Sequence, residues 1–235
     1  MIRTIQVPKH DRSEVKNMEQ SSFAAARREH WKVLGATLVR SLTAKGFQAQ
    51  YVPTKEEALA EVFRIIPEGA TVGIPGSVTI REIGAVEGLR ARGCTVIHHW
   101  DPSLTQEQRM QTLQDELLAQ YFLTGTNAVT LDGTLVNIDG NGNRVSGMAW
   151  GRNTIIFVAG MNKVTKDLDE AIARTRNVAT PPNALRLNLQ PPCTKTGHCV
   201  NCNAPERACK ALLILERATT GRTSHVILVG DDLGF

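Results

Sequence analysis

A short apolar run followed within a few residues by a helix-opening signal recurs along this chain, and that alternation limits the fold more than any other feature. Ala70–Ile74 runs into Pro75-Gly76-Ser77 and then Thr79-x-x-Glu82, a capping-box pattern leading a helix with Ile80, Ile83, Val86 and Leu89 on one face. Phe47–Val52 is followed by a second box, Thr54-x-x-Glu57, and by Leu59, Val62, Phe63 and Ile66 at helical spacing, ended by Pro67. Thr95–His98 precedes a helix over Ser103–Gln120 with Met110, Leu113 and Leu117 inward, and Thr154–Ala159 precedes one from Asp167 to about Val178, opened by Asp167-x-x-Glu170. A long helix over Glu19–Lys45, with Trp31, Leu34, Leu38 and Leu42 on one stripe, comes before all of these. Strands alternating with helices through short loops predict an α/β protein with a largely parallel sheet. After Pro181-Pro182 regular structure thins until two strand-like runs, Ala211–Leu215 and His225–Val229, expected to pair as a hairpin around the cysteine segment.

With 235 residues and 42% hydrophobic content, the chain has material for one large core. Residues 1–20 are polar and expected to form an N-terminal arm, leaving 21–235 as a single domain with a cysteine-rich segment at 190–210. A net charge of +4, with the charges interspersed, permits anionic ligands and lacks the concentrated basic face that nucleic acid demands. No apolar run approaches a membrane span and no apolar segment follows the first residues, so a cytoplasmic protein is expected. Nothing in the sequence specifies an interface, although a homodimer is a common state for α/β proteins of this size.

The densest chemistry lies in Thr124–Arg144, TGTNAVTLDGTLVNIDGNGNR. Alternation on either side of Asp132-Gly133 predicts a β-hairpin, and the glycines of the following GNGN loop tolerate backbone conformations that aim N–H groups at an anion. Asn137 and Asp139, two residues apart on a strand, share one face; a carboxylate there is a candidate general base, or a hydrogen-bond partner of the loop that follows. Asn127, Gly140, Asn143 and Arg144 complete this group, Arg144 as a carboxylate or phosphate clamp or as a surface ion pair. A second group is Gly73-Ile-Pro-Gly76-Ser77 with Thr79, a strand-to-helix turn suited to an anion or serving only as a helix cap. Glu82 is either that helix's capping acid or a second acid–base candidate, and Lys163, just after a strand, is expected either at the same sheet edge as Ser77 or as a solvated surface lysine. His98, His99 and Trp100 follow another strand end, in a cleft or in the core.

Of the five cysteines, Cys94 stands alone beside a strand, while the others read Cys193-x5-Cys199-x2-Cys202-x6-Cys209. Four clustered thiols in a cytoplasmic protein point to metal rather than disulfides. A structural zinc ribbon has two tight Cys-x-x-Cys knuckles and this chain has one, so the irregular spacing favours a 4Fe–4S cluster, with zinc as the alternative.

GTNAVTLDGTLVNIDGNGNR, the downstream GMNKV, PPCTKTGHCVNC and the terminal HVILVGDDLGF together resemble the LUD (lactate-utilisation) domain family, in particular its stand-alone members with a cysteine-rich C-terminus. The resemblance implies a three-layer sheet architecture like that of ribose-5-phosphate isomerase, glucosamine-6-phosphate deaminase and CoA transferases. It also implies a ligand held near the Gly73–Ser77 loop and acid or base groups in the Asn137–Arg144 region. Cytoplasmic oxidation of lactate or a similar hydroxy acid would be the activity, alongside iron–sulfur or flavin partner subunits. Two departures count against a simple transfer of mechanism: Pro75 occupies a normally flexible loop position and removes an N–H, and Thr126-Asn127 stands where sugar-phosphate relatives carry an acid. The other readings are a non-redox scaffold subunit stapled by zinc and a CoA- or sugar-phosphate-dependent transferase or isomerase.

Overall fold

The computed structural model describes residues 12–235, with side chains described from Ser22 onward. In chain order the elements are α1 (Arg12–Ala44), β1 (Gln48–Val52), α2 (Lys55–Ile65), β2 (Thr71–Gly73), α3 (Val78–Glu82), α4 (Ala85–Ala91), β3 (Thr95–Ile97), α5 (Gln106–Leu118), β4 (Tyr121–Gly125), β5 (Ala128–Thr130) and β6 (Leu135–Asp139). Then follow α6 (Asn143–Ala149), β7 (Thr154–Gly160), β8 (Val164–Thr165), α7 (Leu168–Arg174), α8 (Thr180–Arg186), α9 (Cys193–Thr196), β9 (Ala211–Leu215) and β10 (Ser224–Val229).

Six strands form one sheet in the order β1-β10-β7-β4-β2-β3, every pairing parallel. A parallel sheet must be covered on both faces, and the central strands show how. Ile156 and Val158 on β7, Ile227 and Val229 on β10 and Leu123 on β4 enter one core with Val62, Ile80 and Leu89 from α2, α3 and α4. Ile155, Phe157, Val226, Leu228 and Phe122, the intervening residues, enter a second core with Leu38 and Leu42 of α1 and Val145 and Met148 of α6. The period-two pleat thus sorts an unbroken apolar run into two cores. Full burial of each such side chain contributes about 1.5–3 kcal/mol. The second core is closed by a smaller sheet, β8-β5-β6-β9, through Val129, Leu135 and Leu215.

The α/β architecture and the hairpin around Asp132-Gly133 are as the sequence predicts. Several local expectations differ. The last two strands do not form a hairpin: β9 runs antiparallel to β6 in the small sheet, while β10 inserts between β1 and β7 in the large one. The continuous apolar run of β10 suits a strand buried on both faces, whereas β9 is only half covered. Thr79 and Glu82 do not form a capping box, because Ser77 is the N-cap and its Oγ accepts from Ile80 N. The helix behind it breaks at Gly84, which adopts φ 72°. α1 begins at Arg12 rather than Glu19; the rest of the expected arm, residues 1–11, lies outside the described residues. The helix expected to end near Val178 continues through a π-turn over Thr175–Ala179 into α8, with Pro at its first turn where no backbone N–H is needed. No helix among the described residues is long and apolar enough to cross a membrane.

Gly73, expected to bind ligand, instead permits a close approach: a Cβ there would stand 2.0 Å from the Glu116 carbonyl oxygen at the end of α5. Gly73→Ala should therefore lower stability by at least about 1–3 kcal/mol through overpacking, read as a reduced urea midpoint at unchanged slope. An unaltered midpoint would show that α5 does not bear on β2.

Candidate functional site

Because β2, β3, β4 and β7 run parallel, their carboxyl ends share one edge of the large sheet, and β6 of the small sheet ends beside them. The loops leaving these five strands enclose a cavity of about 310 Å³. Gly76, Ser77 and Thr79 line it after β2, His99 and Trp100 after β3, Asn127 after β4, Asp139, Gly140, Asn143 and Arg144 after β6, and Lys163 after β7. Nine of the twelve residues expected to bind ligand or handle a proton are thereby brought together, and three are not: Gly73, Asn137 and Glu82 lie outside the wall.

The loop Pro75–Ser77 turns at Gly76, whose φ of 104° favours glycine. Asn143 Nδ2 donates to the Pro75 carbonyl at 3.3 Å, which ties this loop to the GNGN loop. Asn127 is the central polar hub. Its N–H donates to Asn137 Oδ1 at 3.1 Å, its Oδ1 accepts from Ile138 N at 3.0 Å and from Arg144 Nη2 at 2.9 Å, and its carbonyl accepts from Arg174 Nη1 at 2.6 Å. Asn137, fully buried, also donates to Thr126 Oγ1 at 3.0 Å. It braces the strand end and does not face the cavity.

Asp139, named from sequence as a general base, takes its other reading. Its Oδ1 accepts from Gly140 N, and its Oδ2 accepts from Arg144 N and Val145 N, so the carboxylate holds the loop and the start of α6. Glu82 Oε2 accepts from Gly234 N at 2.6 Å and so fastens the tail beyond β10. Neither acid presents a free oxygen to the cavity as its main contact.

Lys163 differs. It is 3% exposed, its Nζ donates to Thr79 Oγ1 at 2.8 Å, and no carboxylate forms an ion pair with it among the described residues. Burial, then the positive charges of Arg174 and Arg144, lower its pKa to about 7, against the weaker opposing pull of Glu82. A buried ammonium in this setting lacks a counter-charge, which a bound anion would supply. Around it the basic lining residues Arg109, Arg144, Arg186, Arg207 and Lys210 face only Asp139 and Glu206, and Glu206 Oε2 already accepts from Gln190 N.

Sequence reasoning missed Glu116. It is fully buried on α5, and its Oε1 accepts from His99 N at 2.9 Å and pairs with His99 Nδ1 at 2.7 Å. Burial raises its pKa, more than the contacts with His99 draw it down. Glu116 Oε2 has no well-formed partner. The available signal was position: Glu116 lies three residues after Leu113 on the inward face of α5, whereas Met110, expected inward, is 56% exposed. Arg222, equally unforeseen, donates to the Gly147 and Met148 carbonyls and so caps the C-terminus of α6. Trp100 is sandwiched between the Arg81 guanidinium, 3.8 Å from its ring, and the stacked His98.

The cysteine-rich segment forms one wall of the cavity through Glu206, Arg207, Ala208 and Lys210. All four clustered cysteines are free thiols. Burial raises the pKa of Cys193, and Cys209, Cys202 and Cys199 raise it further by their charge, so each of the three lies within electrostatic reach of Cys193. Arg207 Nε donates to Cys209 Sγ at 3.3 Å, Asn201 N donates to Cys199 Sγ at 3.4 Å, and Arg207 Nη1 donates to the Cys202 carbonyl at 2.6 Å. Among the described residues no three His, Cys, Asp or Glu side chains are already drawn together in a metal-holding arrangement. Cys94 is buried in the first core, packed as a small apolar residue.

A search of the curated proteins finds no match. Among solved structures, the chain is similar to a DUF162 family protein from Deinococcus radiodurans, at 13% identity and a TM-score of 0.49, over 84% of this chain and 97% of that one. Weaker similarity reaches eIF2B beta from Chaetomium thermophilum, at 14% identity and a TM-score of 0.35, over 49% of this chain and 44% of that one. The tetrameric eIF2B-beta2-delta2 complex from C. thermophilum gives 14% identity and a TM-score of 0.36, over 52% and 47%. The family model described as LUD domain matches residues 36–229, from within α1 to the last residue of β10. A match over most of the chain, including every cavity-lining residue except Gly234 and Phe235, makes this protein a member of the LUD domain family.

Proposed function

We propose that this LUD-domain protein binds a small organic anion in the cavity and takes part in the oxidation of lactate or a similar hydroxy acid beside a 4Fe–4S cluster held by Cys193, Cys199, Cys202 and Cys209. One observation carries this reading: the basic cavity and the cysteine segment share a wall, with Arg207 lining the cavity and donating to Cys209 Sγ. The donor set suits the cluster in kind, since all four thiols are unpaired, three lie within electrostatic reach of Cys193, and N–H groups already point at two of the sulfurs. A cluster there would supply one-electron transfer, so a two-electron oxidation calls for an iron–sulfur or flavin partner subunit as the final acceptor. In this reading Arg144 and Lys163 hold the carboxylate, Asn143 and Ser77 border it, and the chain acts in the cytoplasm.

A second reading is favoured by the charge surplus. The cavity has six basic side chains against two acids already engaged by backbone N–H groups, more than a monoanion requires. That balance suits a phosphorylated ligand and a transferase or isomerase reaction. Thermal-shift measurements with lactate, inorganic phosphate and CoA separate the two: stabilisation by lactate alone supports the hydroxy-acid reading, and stabilisation by phosphate or CoA alone supports the other.

Anaerobically purified protein is expected to be brown and to carry about four irons per chain, with Cys202→Ala losing most of them. Colourless protein holding stoichiometric zinc would overturn the redox reading and leave a stapling role. The charge state of Lys163 sets a pH dependence. The free lysine is protonated below about pH 7, and an anion favours that form. Affinity should be greatest below pH 7 and fall as pH rises through it, by up to about tenfold per unit. Calorimetric titration of the wild type against Lys163→Met checks this, because the variant should bind weakly with no such slope. Without ligand the sign reverses for folding. Between about 7 and the ordinary 10.5 the unfolded chain binds the extra proton, so this lysine makes the fold gain stability as pH rises across that range.

A further inference from the structure

We propose that His99 is the general base of the cavity, aimed at a hydroxyl of the bound anion, with Glu116 as its positioning residue. This rests on the anion-binding reading of the cavity and adds the group that handles a proton.

The geometry begins at Glu116. A carboxylate with no exposed surface is costly unless its charge is answered, and here the answer comes almost wholly from one residue. Oε1 accepts from the backbone N–H of His99 and pairs with its ring Nδ1, which fixes the end of β3 and the plane of the imidazole together. Oε1 already accepts the backbone N–H of His99, so its pairing with Nδ1 assigns the ring hydrogen to Nδ1 in this proposal and leaves Nε2 with a lone pair. His99 lines the cavity, and Nε2 has no hydrogen-bond partner among the described residues. The ring stands against the Pro75–Ser77 loop, where a Cβ added at Gly76 would come within 3.5 Å of His99 Cε1 and 3.8 Å of Nε2. Any larger side chain at Gly76 would crowd that nitrogen. Trp100, at an edge-on 5.9 Å, closes the other side.

Every other acid at the cavity is engaged elsewhere: Asp139 by three N–H groups and Glu206 by the Gln190 N–H. His99 is the group with both a free acceptor and a partner that stabilises its charged form. When a ligand hydroxyl gives its proton to Nε2, the bonding electrons remain on the ligand oxygen. The imidazolium formed is held by the Glu116 carboxylate through Nδ1–H, as in other carboxylate–histidine pairs. The basic wall of Arg144 and Lys163 meanwhile holds the ligand's anionic group.

The test needs no assumed substrate turnover. Nitrogen-15 imidazole spectra of the wild type should show His99 protonated at Nδ1 and bare at Nε2. Diethylpyrocarbonate, which acylates a bare imidazole nitrogen, should modify His99 in the wild type about tenfold or more faster than in folded Glu116→Gln, the loss expected of one charge-assisted hydrogen bond. A Glu116 that merely braces α5 would leave that rate unchanged, and an Nε2–H tautomer in the wild type would overturn the proposal outright. Should E116Q fail to fold, the wild-type tautomer decides. Lactate should protect His99 from acylation more than propionate, which has the same charge and no hydroxyl. Equal protection by both would sink the aim at a hydroxyl. If neither protects while the tautomer and the E116Q rate hold, the hydroxy-acid reading fails and the base stands for another anion.

Discussion

A buried turn needs its backbone polar groups satisfied, and in this protein that need falls on the four residues where the chain leaves the large sheet for the small one. Between Gly125 and Ala128 the backbone passes from the end of β4, paired with β7, into the neighbouring sheet with little access to water. Asn127 N, Oδ1 and carbonyl oxygen are met by Asn137, Ile138, Arg144 and Arg174, and Thr126 Oγ1 is met by Asn137. Each unsatisfied group in such a place would cost about 1–3 kcal/mol. The network therefore fixes the relation between the two sheets, and with it the position of Arg144 and the GNGN loop.

From that fixed point the cavity follows. Parallel strands bring the loops after β2, β3, β4 and β7 to a common edge, and the hairpin delivers the end of β6 to the same place. The arrangement spends its carboxylates on structure and leaves its cations and one imidazole nitrogen facing inward. Asp139, Glu82 and Glu206 hold backbone N–H groups, whereas Lys163 keeps only a hydroxyl partner. That division leaves the interior with a surplus of positive charge.

Much of the site was legible in the sequence because its residues belong to local patterns. Ser77 caps a helix directly after a strand, Asn143 and Arg144 follow a glycine-rich turn, and Lys163 follows a buried strand by a few residues, so proximity along the chain and the strand-end rule sufficed to gather them. Asn137 and Asp139 show the limit of the same reasoning. Their shared strand face was correct as periodicity, yet one is consumed by the inter-sheet network and the other by the N–H groups of α6. Glu116 was invisible because its partner lies 17 residues away in another element, and an acid on an amphipathic helix reads as solvated unless a tertiary neighbour takes it in.

What the sequence determined by itself was the class of structure: period-two apolar runs alternating with capped helices leave a covered parallel sheet as the economical way to bury both strand faces. The hairpin at Asp132-Gly133 was determined in the same way, by local backbone preference. Only the tertiary structure decided that β9 and β10 part to different sheets, that Glu116 turns inward to His99, and that the cysteine segment walls the cavity. Those outcomes depend on pairings between residues far apart in the chain. Local propensity carries no information about such pairings, since the free energy that selects them arises only once both partners have been desolvated together.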